Sequence, residues 1–497
     1  MANRAVDEPV PVQGDSHGKR RLSFVSLVVA MVVALAGLAG AILVLVAAPL
    51  PTPLMIAAVA ADLVVTALVV ALLLSSGPRR HKVRFAVAVI LSVLLVGGNG
   101  AITKAGADWL GFTHTITTPP TPTVLYDIVV RADGPQAVSE LKGSLMGEVA
   151  GDSLSAQVHS KIGELTQVTL VPSSPWTDTI AALINQDVTS IVIDDGSMQI
   201  LSGADPAKYA QLRILTNFEV EGTRTVTPPK KPTPTPTPTP KAPNGAYILY
   251  ISGIDTDGSI SNQSRSDVNI LLVANPTTGQ ILLVNTPRDF YVQLRGTDGL
   301  KDKLTHAGVY GISESIGTLE DLYGVTIDYY LRINFTSLVK VVDTLGGVDV
   351  ESAYAFSAGG YTFHIGTNHL NGEAALAFSR DRHDFAGGDR VRGQNQQRVI
   401  TGIIKKLSDP AVLANYSGIL AALQTTLQTS MPADVMTTQI KRQLATNTAW
   451  NVTSISVDGT GAMDYTYSYP GQQLYVMVPD QATVDAAKAQ ITQTLNG

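Results

Sequence analysis

The 497-residue sequence contains no cysteine, which excludes disulfide bonds, thiolate metal sites and a cysteine nucleophile. Charged residues are also scarce, at 15%, whereas hydrophobic residues make up 45% of the chain. That balance is apolar for a soluble protein and indicates that part of the chain lies in lipid. The formal net charge of -6 gives no basic surface for the chain as a whole, so we do not expect a nucleic-acid partner.

Three long apolar runs predict three transmembrane helices within residues 22–104, after a short tail of residues 1–21. A cleaved signal peptide is the competing interpretation of the first run, because Lys19, Arg20 and Arg21 precede it. We favour a membrane span, since the first run is longer than a typical signal-peptide core and two more apolar runs follow it.

Basic residues indicate the orientation of these spans. They precede the first run and fill residues 79–84 between the second and third runs, whereas the loop between the first two runs carries no charge. The positive-inside rule therefore places residues 1–21 in the cytoplasm and everything after the third span outside the cell. We expect a multi-pass protein of the cell membrane in which the domains after the third span are extracytoplasmic.

One charged residue, Asp62, lies inside the second apolar run. A carboxylate within the bilayer costs about 3 kcal/mol on insertion scales, so Asp62 is by default a candidate for function. The alternative is structural: Asp62 faces a neighbouring span and is neutral or hydrogen-bonded there. We favour the structural interpretation.

Two domains and a stalk are predicted after the spans. Residues 117–226 alternate strand-like and helix-like segments, which favours a small α/β domain; within it, Asp194 and Asp195 are interpreted as a turn rather than a metal pair. Residues 227–243 repeat Thr-Pro and predict an extended, semi-rigid linker. Residues 244–497 are predicted to form an α/β sandwich, with a central mixed sheet flanked by helices.

A hairpin within this last domain brings charged residues together. Residues 268–275 and 280–286 read as two strands joined by a four-residue turn, so the start of the first strand lies beside the end of the second. Two Arg-Asp pairs flank the hairpin and are expected to be neighbours at one end of the sheet. They are Arg265 with Asp267, and Arg288 with Asp289.

A third charged cluster occupies residues 379–398, around Arg380, Arg382, Arg390, Arg392 and Arg398. Guanidinium groups bind phosphate through a rigid, bidentate fork, and nearby aspartates either neutralise them or hold Mg²⁺ against phosphate oxygens. The structural alternative is a surface salt-bridge network. Because three separated clusters share the same pairing of residue types beside apolar strands, we favour an anion site.

At these residues the chain resembles the LytR-CpsA-Psr family, and the three predicted spans resemble its CpsA-type branch, which is tied to capsular polysaccharide. The resemblance covers about half of the last domain, in order. The matching stretches are Arg265-Ser266-Asp267, Val284–Asp289, Lys303–Ala307, Asp328-Tyr329-Tyr330, Gly346–Val350 and Leu370–Arg380, ending at Arg382.

The resemblance implies that a polyprenyl pyrophosphate binds with its lipid tail in an apolar tunnel between sheet and helices. It implies Mg²⁺ or Mn²⁺ as cofactor, with Asp255 and Asp267 as the associated acids, and Asp289 as the acid after the central arginine. One departure is Asn395, where many members carry an arginine; Arg390, Arg392 and Arg398 are the candidates to compensate. The residues matching the family's pyrophosphate-binding positions are Arg265, Arg288, Arg380, Arg382 and Gln396.

The reaction implied is phosphoryl transfer, in which a peptidoglycan sugar hydroxyl attacks the glycan-side phosphorus and lipid monophosphate leaves. The expected catalytic residues are Arg288, Asp267 and Asp289, with one of the two aspartates as the proton acceptor. Three alternatives stay open. They are a pyrophosphatase that uses water, a wall-binding module without chemistry, and a transcription regulator, for which residues 1–21 are too short a cytoplasmic segment.

Overall fold

The computed structural model divides the chain into two compact units. The first comprises Met1–Ala48 and Thr52–Ala107, and the second comprises Pro49–Pro51 and Asp108–Gly497. The predicted cytoplasmic tail, the predicted linker and Asp255 lie outside the residues that the structure describes. The described residues are 24–47, 52–75, 82–117, 122–222, 245–254, 260–297, 299–382, 385, 387–409, 412 and 427–497.

Three helices occupy the apolar N-terminal runs: α1 (Phe24–Ala47), α2 (Thr52–Ser75) and α3 (Lys82–Thr117). Among the described residues, Met55–Ser75 of α2 is long and apolar enough to cross a bilayer, whereas the apolar stretches of α1 and α3 are shorter. The structure therefore supports one candidate span by length and composition, where the sequence predicted three.

The hydrogen-bonded interpretation of Asp62 is confirmed. Asn99 of α3 donates a hydrogen bond from Nδ2 to Asp62 Oδ1 of α2, at 3.0 Å. Gly40 of α1 lies against the same asparagine, since a Cβ there would be 2.6 Å from Asn99 Oδ1. The carboxylate is thus part of the packing among the three helices.

The second unit begins with a five-stranded mixed sheet in the order β3-β2-β4-β1-β5. The central strands are buried on both faces, and their successive apolar residues pack in two different cores: Val129 of β1 lies in one, and Ile128 and Val130 lie in the other. The strands are β1 (Thr123–Arg131), β2 (Leu145–Val149), β3 (Thr169–Ser173), β4 (Ser190–Asp194) and β5 (Leu212–Glu221). The helices are α4 (Ser155–Leu165), α5 (Trp176–Ile184), α6 (Asp195–Ala204) and α7 (Pro206–Tyr209).

One local prediction in this small domain was wrong. Asp194 and Asp195 do not form a turn: the Asp194 carboxylate accepts a hydrogen bond from the Ser197 amide at 2.8 Å and caps α6. An aspartate at this position satisfies one of the free amides of a helix N-terminus, so the pair begins a helix. Helix α7 ends at Tyr209, and Leu212 starts β5.

The rest of the second unit is built on a six-stranded sheet in the order β16-β11-β6-β7-β8-β17. Parallel and antiparallel pairs occur side by side, so the predicted mixed sheet is confirmed. Four two-stranded sheets accompany it, formed by β9 with β10, β12 with β15, β13 with β14, and β18 with β19. The strands of this part of the unit are β6 (Tyr247–Ile254), β7 (Ser266–Asn275), β8 (Gln280–Asn285), β9 (Tyr291–Gln293), β10 (Lys301–Lys303), β11 (Tyr329–Ile333), β12 (Val348–Ser352), β13 (Phe356–Ala358), β14 (Tyr361–Phe363), β15 (Gly366–Leu370), β16 (Gln428–Thr429), β17 (Asn451–Ser456), β18 (Gly459–Tyr465) and β19 (Gln473–Pro479).

Helices cover both faces of the large sheet, because successive residues along a strand point to opposite sides. Tyr250 of β6 packs in a core with Leu319 of α9, whereas its neighbour Ile251 packs in a second core against Ile400 and Ile404 of α12. The helices are α8 (Leu304–Ala307), α9 (Ile312–Tyr323), α10 (Phe335–Thr344), α11 (Gly372–Arg380), α12 (Asp389–Leu407), α13 (Ala433–Thr446) and α14 (Gln481–Asn496).

Candidate functional site

The predicted hairpin is confirmed, and it brings the two Arg-Asp pairs together. Strands β7 and β8 pair antiparallel with Ile270 opposite Asn285, so the segments before β7 and after β8 leave the same end of the sheet. Arg288 Nη1 donates to Asp267 Oδ2 at 2.9 Å, and Arg265 Nη2 lies 3.8 Å from the same oxygen. One carboxylate therefore sits between two guanidinium groups.

Arg288 is a fixed cation at the centre of this group. Burial by itself lowers its pKa, but Asp267, Asp289 and Asp389 outweigh burial and hold the pKa above its ordinary value. Its Nε lies 3.7 Å from Asp289 and from Asp389. That Nε is buried and makes no hydrogen bond within the described part of the chain, so it has a donor to offer an anionic ligand.

Asp267 is ionised over the whole physiological range. Burial raises its pKa, but Arg288, Arg265 and Arg392 outweigh burial and hold the pKa well below its usual range. Thr305 donates a hydrogen bond from Oγ1 to Asp267 Oδ1 at 2.7 Å. A carboxylate held this way is a weak proton acceptor, since a general base works best with a pKa near the working pH.

Helices α11 and α12 supply the third charged cluster. Arg380 ends α11 with its guanidinium carbon 4.2 Å from the centre of the Phe335 ring, in a cation–π contact that fixes the side chain. Arg392 and Gln396 lie four residues apart on α12 and therefore share one of its faces. Arg392 pairs with Asp389 one turn earlier on the same helix.

These side chains line one end of a cavity of about 550 Å³. The opposite wall is apolar and comes from the sheet, α10, α11 and α12. The polar lining includes Arg265, Asp267, Arg288, Arg380, Arg382, Arg392 and Gln396. The apolar lining includes Ile251, Ile254, Ile333, Leu338, Leu376 and Ile400. Such a cavity suits a ligand with an anionic head and an apolar tail.

Other residues proposed from the sequence lie elsewhere. Arg390 is exposed and pairs with Asp458 at 2.5 Å, and it is not part of the cavity lining. Arg398 donates to Asn395 Oδ1 at 2.6 Å and lines a separate cavity of about 330 Å³. Of the three arginines expected to compensate for Asn395, Arg392 alone lines the larger cavity.

Asp289 lies beside the cavity rather than in its lining. Its Oδ1 is 3.0 Å from Lys303 Nζ, and its Oδ2 is 3.7 Å from Arg288 Nε. Asp255, the second acid implied by the resemblance, lies outside the described residues. The roles assigned to these two aspartates stay predictions.

Sequence reasoning did not assign several residues that contact the site arginines and aspartates, among them Thr305, Asp389, Phe335 and Gln199. Thr305 and Asp389 were recognisable, since the first lies in a motif of the resembled family and the second in the third cluster. Phe335 carried no signal beyond its place at a helix start. The role of Gln199 could not be predicted from the sequence, because Gln199 belongs to the small domain and meets Arg265 only in the folded chain.

One carboxylate among the described residues, that of Asp267, lines this cavity and could serve as a ligand of a divalent cation. Among the described residues, no three or more His, Asp or Glu side chains converge as a metal cluster. Mg²⁺ nonetheless needs only one or two carboxylates, because phosphate oxygens and water complete its shell. Asp267 is ionised, lines the cavity and so qualifies as one such ligand.

Comparison with known sequences matches this chain to one family and to named relatives. The sequence model of the LytR_cpsA_psr family matches residues 215–488. A polyisoprenyl-teichoic acid–peptidoglycan teichoic acid transferase, TagU of Enterococcus faecalis, is 36% identical over 227 residues, which is 45% of this chain and 73% of the relative. TagU of Bacillus mycoides is 33% identical over 250 residues, covering 50% of this chain and 77% of the relative.

Solved structures also match. The crystal structure of TagU from B. subtilis is 28% identical and covers 50% of this chain and 97% of that chain, with a TM-score of 0.40. A structure of TagT bound to LI-WTA is 26% identical and covers 52% of this chain and 94% of that chain, with a TM-score of 0.41.

Proposed function

This chain belongs to the LytR-CpsA-Psr family, whose sequence model matches more than half of it, and from that membership we propose that it is a glycopolymer phosphotransferase. The similar curated proteins are named as transferases of polyisoprenyl-linked teichoic acid to peptidoglycan. By the same chemistry, this chain moves a phosphate-linked glycan from a polyprenyl-pyrophosphate carrier to a peptidoglycan sugar hydroxyl. The glycan is a capsular polysaccharide or a similar wall glycopolymer.

The observation that carries this proposal is the cavity in which five arginines face an apolar wall. The pyrophosphate lies against the arginines, where the buried Nε of Arg288 meets one of its oxygens. The polyprenyl chain lies along the apolar side chains of α10 and α12. Burying each methylene group of that chain contributes about 0.8 kcal/mol, so the wall holds the lipid while the arginines orient the reacting phosphorus.

The transfer forms a bond between the sugar oxygen and the glycan-side phosphorus and breaks the bond from that phosphorus to the bridging oxygen. The lipid monophosphate leaves with the bonding electrons, and the hydroxyl proton passes to a base. Such a reaction depends on positioning and on stabilising the charge of the phosphate oxygens. Because the arginines hold the pKa of Asp267 well below its usual range, we assign the orientation of Arg288 to Asp267 and proton acceptance to Asp289.

We further propose that Mg²⁺ or Mn²⁺ binds beside the pyrophosphate, held by Asp267 and Asp255. When bound, the ion would neutralise part of the charge on the phosphate oxygens. The ionised state of Asp267 supports this assignment, since a metal ligand must be deprotonated.

We also propose that α1, α2 and α3 are all membrane spans and that the second unit lies outside the cell. The apolar runs, the charge distribution around them and the family membership support this arrangement. A polyprenyl carrier is itself anchored in the membrane, so an enzyme that acts on it gains from being anchored beside it.

A turnover assay tests the function. The full-length protein in proteoliposomes would receive a polyprenyl-pyrophosphate glycan, with and without peptidoglycan and Mg²⁺, while phosphorus-containing products are followed. We expect a glycan–peptidoglycan phosphodiester that depends on the acceptor and is lost without a divalent ion. Glycan phosphate released regardless of acceptor would identify a pyrophosphatase, and tight lipid binding without any product would identify a binding module.

A further inference from the structure

The small domain contributes to the wall of the cavity. Ser202 and Gly203, in the last turn of α6, and Pro206, at the start of α7, lie in the same lining as Arg265 and Arg288. Both domains belong to one compact unit. The arginine end of the cavity is therefore completed by a part of the chain that precedes most of the family match.

Gln199, one turn before Gly203 on α6, links the small domain to a site arginine by hydrogen bonds. Arg265 Nη1 donates to the Gln199 carbonyl oxygen at 3.2 Å, and the Arg265 backbone N–H donates to Gln199 Oε1 at 3.3 Å. Ser264 Oγ donates to the same Oε1 at 3.1 Å. Gln199 thus holds both the backbone and the guanidinium of Arg265.

The amide of Gln199 is itself fixed. Its Nε2 donates to Asp195 Oδ2 at 2.5 Å, and Asp195 is the first residue of the helix that Asp194 caps. This position requires a side chain that accepts on one side and donates on the other, which an uncharged amide does and a carboxylate or an aliphatic side chain does not.

We propose that Gln199 is a positioning residue that aims Arg265 at the pyrophosphate, so that the small domain forms part of the transfer site. The proposal deepens the function given above and rests on it. Arg265 and Arg288 flank Asp267 from two sides, at 3.8 and 2.9 Å. A shift of Arg265 would therefore change how the two guanidinium groups share the pyrophosphate oxygens.

The test measures the dissociation constant for the lipid-linked pyrophosphate glycan and the rate of transfer, both with the full-length protein. Gln199→Leu keeps the approximate size of the side chain and removes the hydrogen bonds of its amide. We expect about tenfold weaker binding, near the upper end for losing a neutral hydrogen bond, because the Arg265 backbone N–H and Ser264 Oγ lose their acceptor. The bond from Arg265 Nη1 to the Gln199 carbonyl is to the main chain and remains in the variant. Gln211→Leu is the matched control, since Gln211 is exposed in the same domain and its amide donates to the Ala207 carbonyl.

A double-mutant cycle separates positioning from a general structural effect. If Gln199 acts through Arg265, Gln199→Leu causes no further loss of binding in an Arg265→Ala background. The same tenfold loss in both backgrounds would overturn the proposal, and so would unchanged binding and transfer in the single variant.

A second variant keeps the test independent of folding defects. Gly203 is exposed at the end of α6, and a Cβ built there lies 3.1 Å from Arg265 Nη1. Gly203→Val should displace the guanidinium and weaken binding while the thermal midpoint stays near that of the wild type. Wild-type binding in this variant as well would contradict the inference. If the wild type binds the lipid but transfers nothing, the proposed function fails while the binding measurements still decide the role of Gln199.

Discussion

At the scale of single residues, Arg288 has three carboxylates around it and one buried N–H without a hydrogen bond in the described residues. The carboxylates fix its position, and the N–H gives a phosphate oxygen a donor. Arg380 is fixed in a different way, by the ring of Phe335. The site therefore holds its cations in place before any ligand arrives, which is how charge-stabilising sites lower a barrier.

Removing the central guanidinium tests this arrangement. We expect Arg288→Ala to lower the transfer rate by at least about a hundredfold, the loss seen when one preorganised charge-stabilising donor is removed. The domain should stay folded, because Asp267 keeps the hydrogen bond from Thr305 and the nearby Arg265. Transfer kinetics and far-ultraviolet circular dichroism check both points. Arg390→Ala, which removes an exposed arginine outside the cavity, should transfer normally; equal losses in the two variants would contradict the assignment.

A second residue, Asp127 of β1, sets a pH dependence of stability. It is fully buried, neither of its carboxylate oxygens has a hydrogen-bond partner among the described residues, and burial, with Asp195 and Asp194 nearby, raises its pKa from 3.8 to about 7. The folded state therefore keeps a proton that the unfolded state releases. Stability falls as the pH rises from about 4 to about 7, and it levels off above that window.

We expect Asp127→Asn to be more stable than the wild type at pH 8 by a few kcal/mol, roughly 1.4 for each unit of pKa shift. Near pH 4 the difference should be small, since the wild-type carboxyl is then protonated in the folded state. Denaturant unfolding at both pH values measures this. Asp133→Asn serves as the control: Asp133 is exposed, and its hydrogen bond with Arg131 lowers its pKa, so its effect has the opposite sign. A difference that does not depend on pH would refute the assignment.

At the scale of elements, α10 and α12 divide the cavity between charge and apolar surface. Along α12 the lining changes from Arg392 and Gln396 to Val399 and Ile400 within two turns. Helix α10 adds Phe335 under Arg380 and Leu338 one turn later. Each helix thus lines both the charged and the apolar part of the cavity, so a shift of either helix would change both parts together.

The apolar wall predicts a dependence on lipid length. Leu338→Gln keeps the helical propensity of α10 and places a polar group in the wall. We expect about tenfold weaker binding of a long polyprenyl pyrophosphate and unchanged binding of inorganic pyrophosphate, since the latter has no tail to bury. Isothermal titration with both ligands gives the comparison. Lys340→Gln, which introduces the same residue on the exposed side of α10, should leave both affinities unchanged; parallel losses for the two ligands would argue against a lipid wall.

At the scale of the whole second unit, buried contacts join the small domain to the rest of the unit through the segment between β18 and β19. Trp176 of the small domain donates from Nε1 to the Ser468 carbonyl at 2.9 Å, and its ring lies 5.4 Å from that of Tyr469. Ser468 is bound in turn by Asp302, whose other oxygen contacts His306 at 2.7 Å. This network ties the small domain to the loop before β19 and to the segment after β10.

These buried contacts predict that the small domain and the rest of the second unit unfold together. We expect Trp176→Ala to destabilise the unit by about 3–5 kcal/mol, the usual effect of deleting a buried aromatic side chain. Trp176→Phe should lose less, since it keeps most of the apolar contact. Calorimetry of the two variants, with the fluorescence of the remaining tryptophans as a second probe, would show one shared transition. Two separated transitions in the wild type would mean that the small domain and the rest of the unit unfold independently.

The sequence by itself determined the local features. Turn residues and strand periodicity specified the β7–β8 hairpin and hence the meeting of Asp267 with Arg288. Asn334 and Ser337 form the capping box of α10, and Gly346 and Gly347 end the segment with positive φ. These features depend on residues close together in the sequence, so they can be predicted from the sequence. The arginine-rich clusters likewise predict an anion site from the sequence alone.

Tertiary structure decided which of those arginines line the cavity. Arg390 and Arg392 are two residues apart, which on a helix turns them about 200° from one another, and the packing of α12 chose Arg392. The contact of Gln199 with Arg265 joins residues from separate domains, and no local pattern encodes such a contact. Composition and periodicity fix which elements form, whereas long-range packing fixes which of their faces meet.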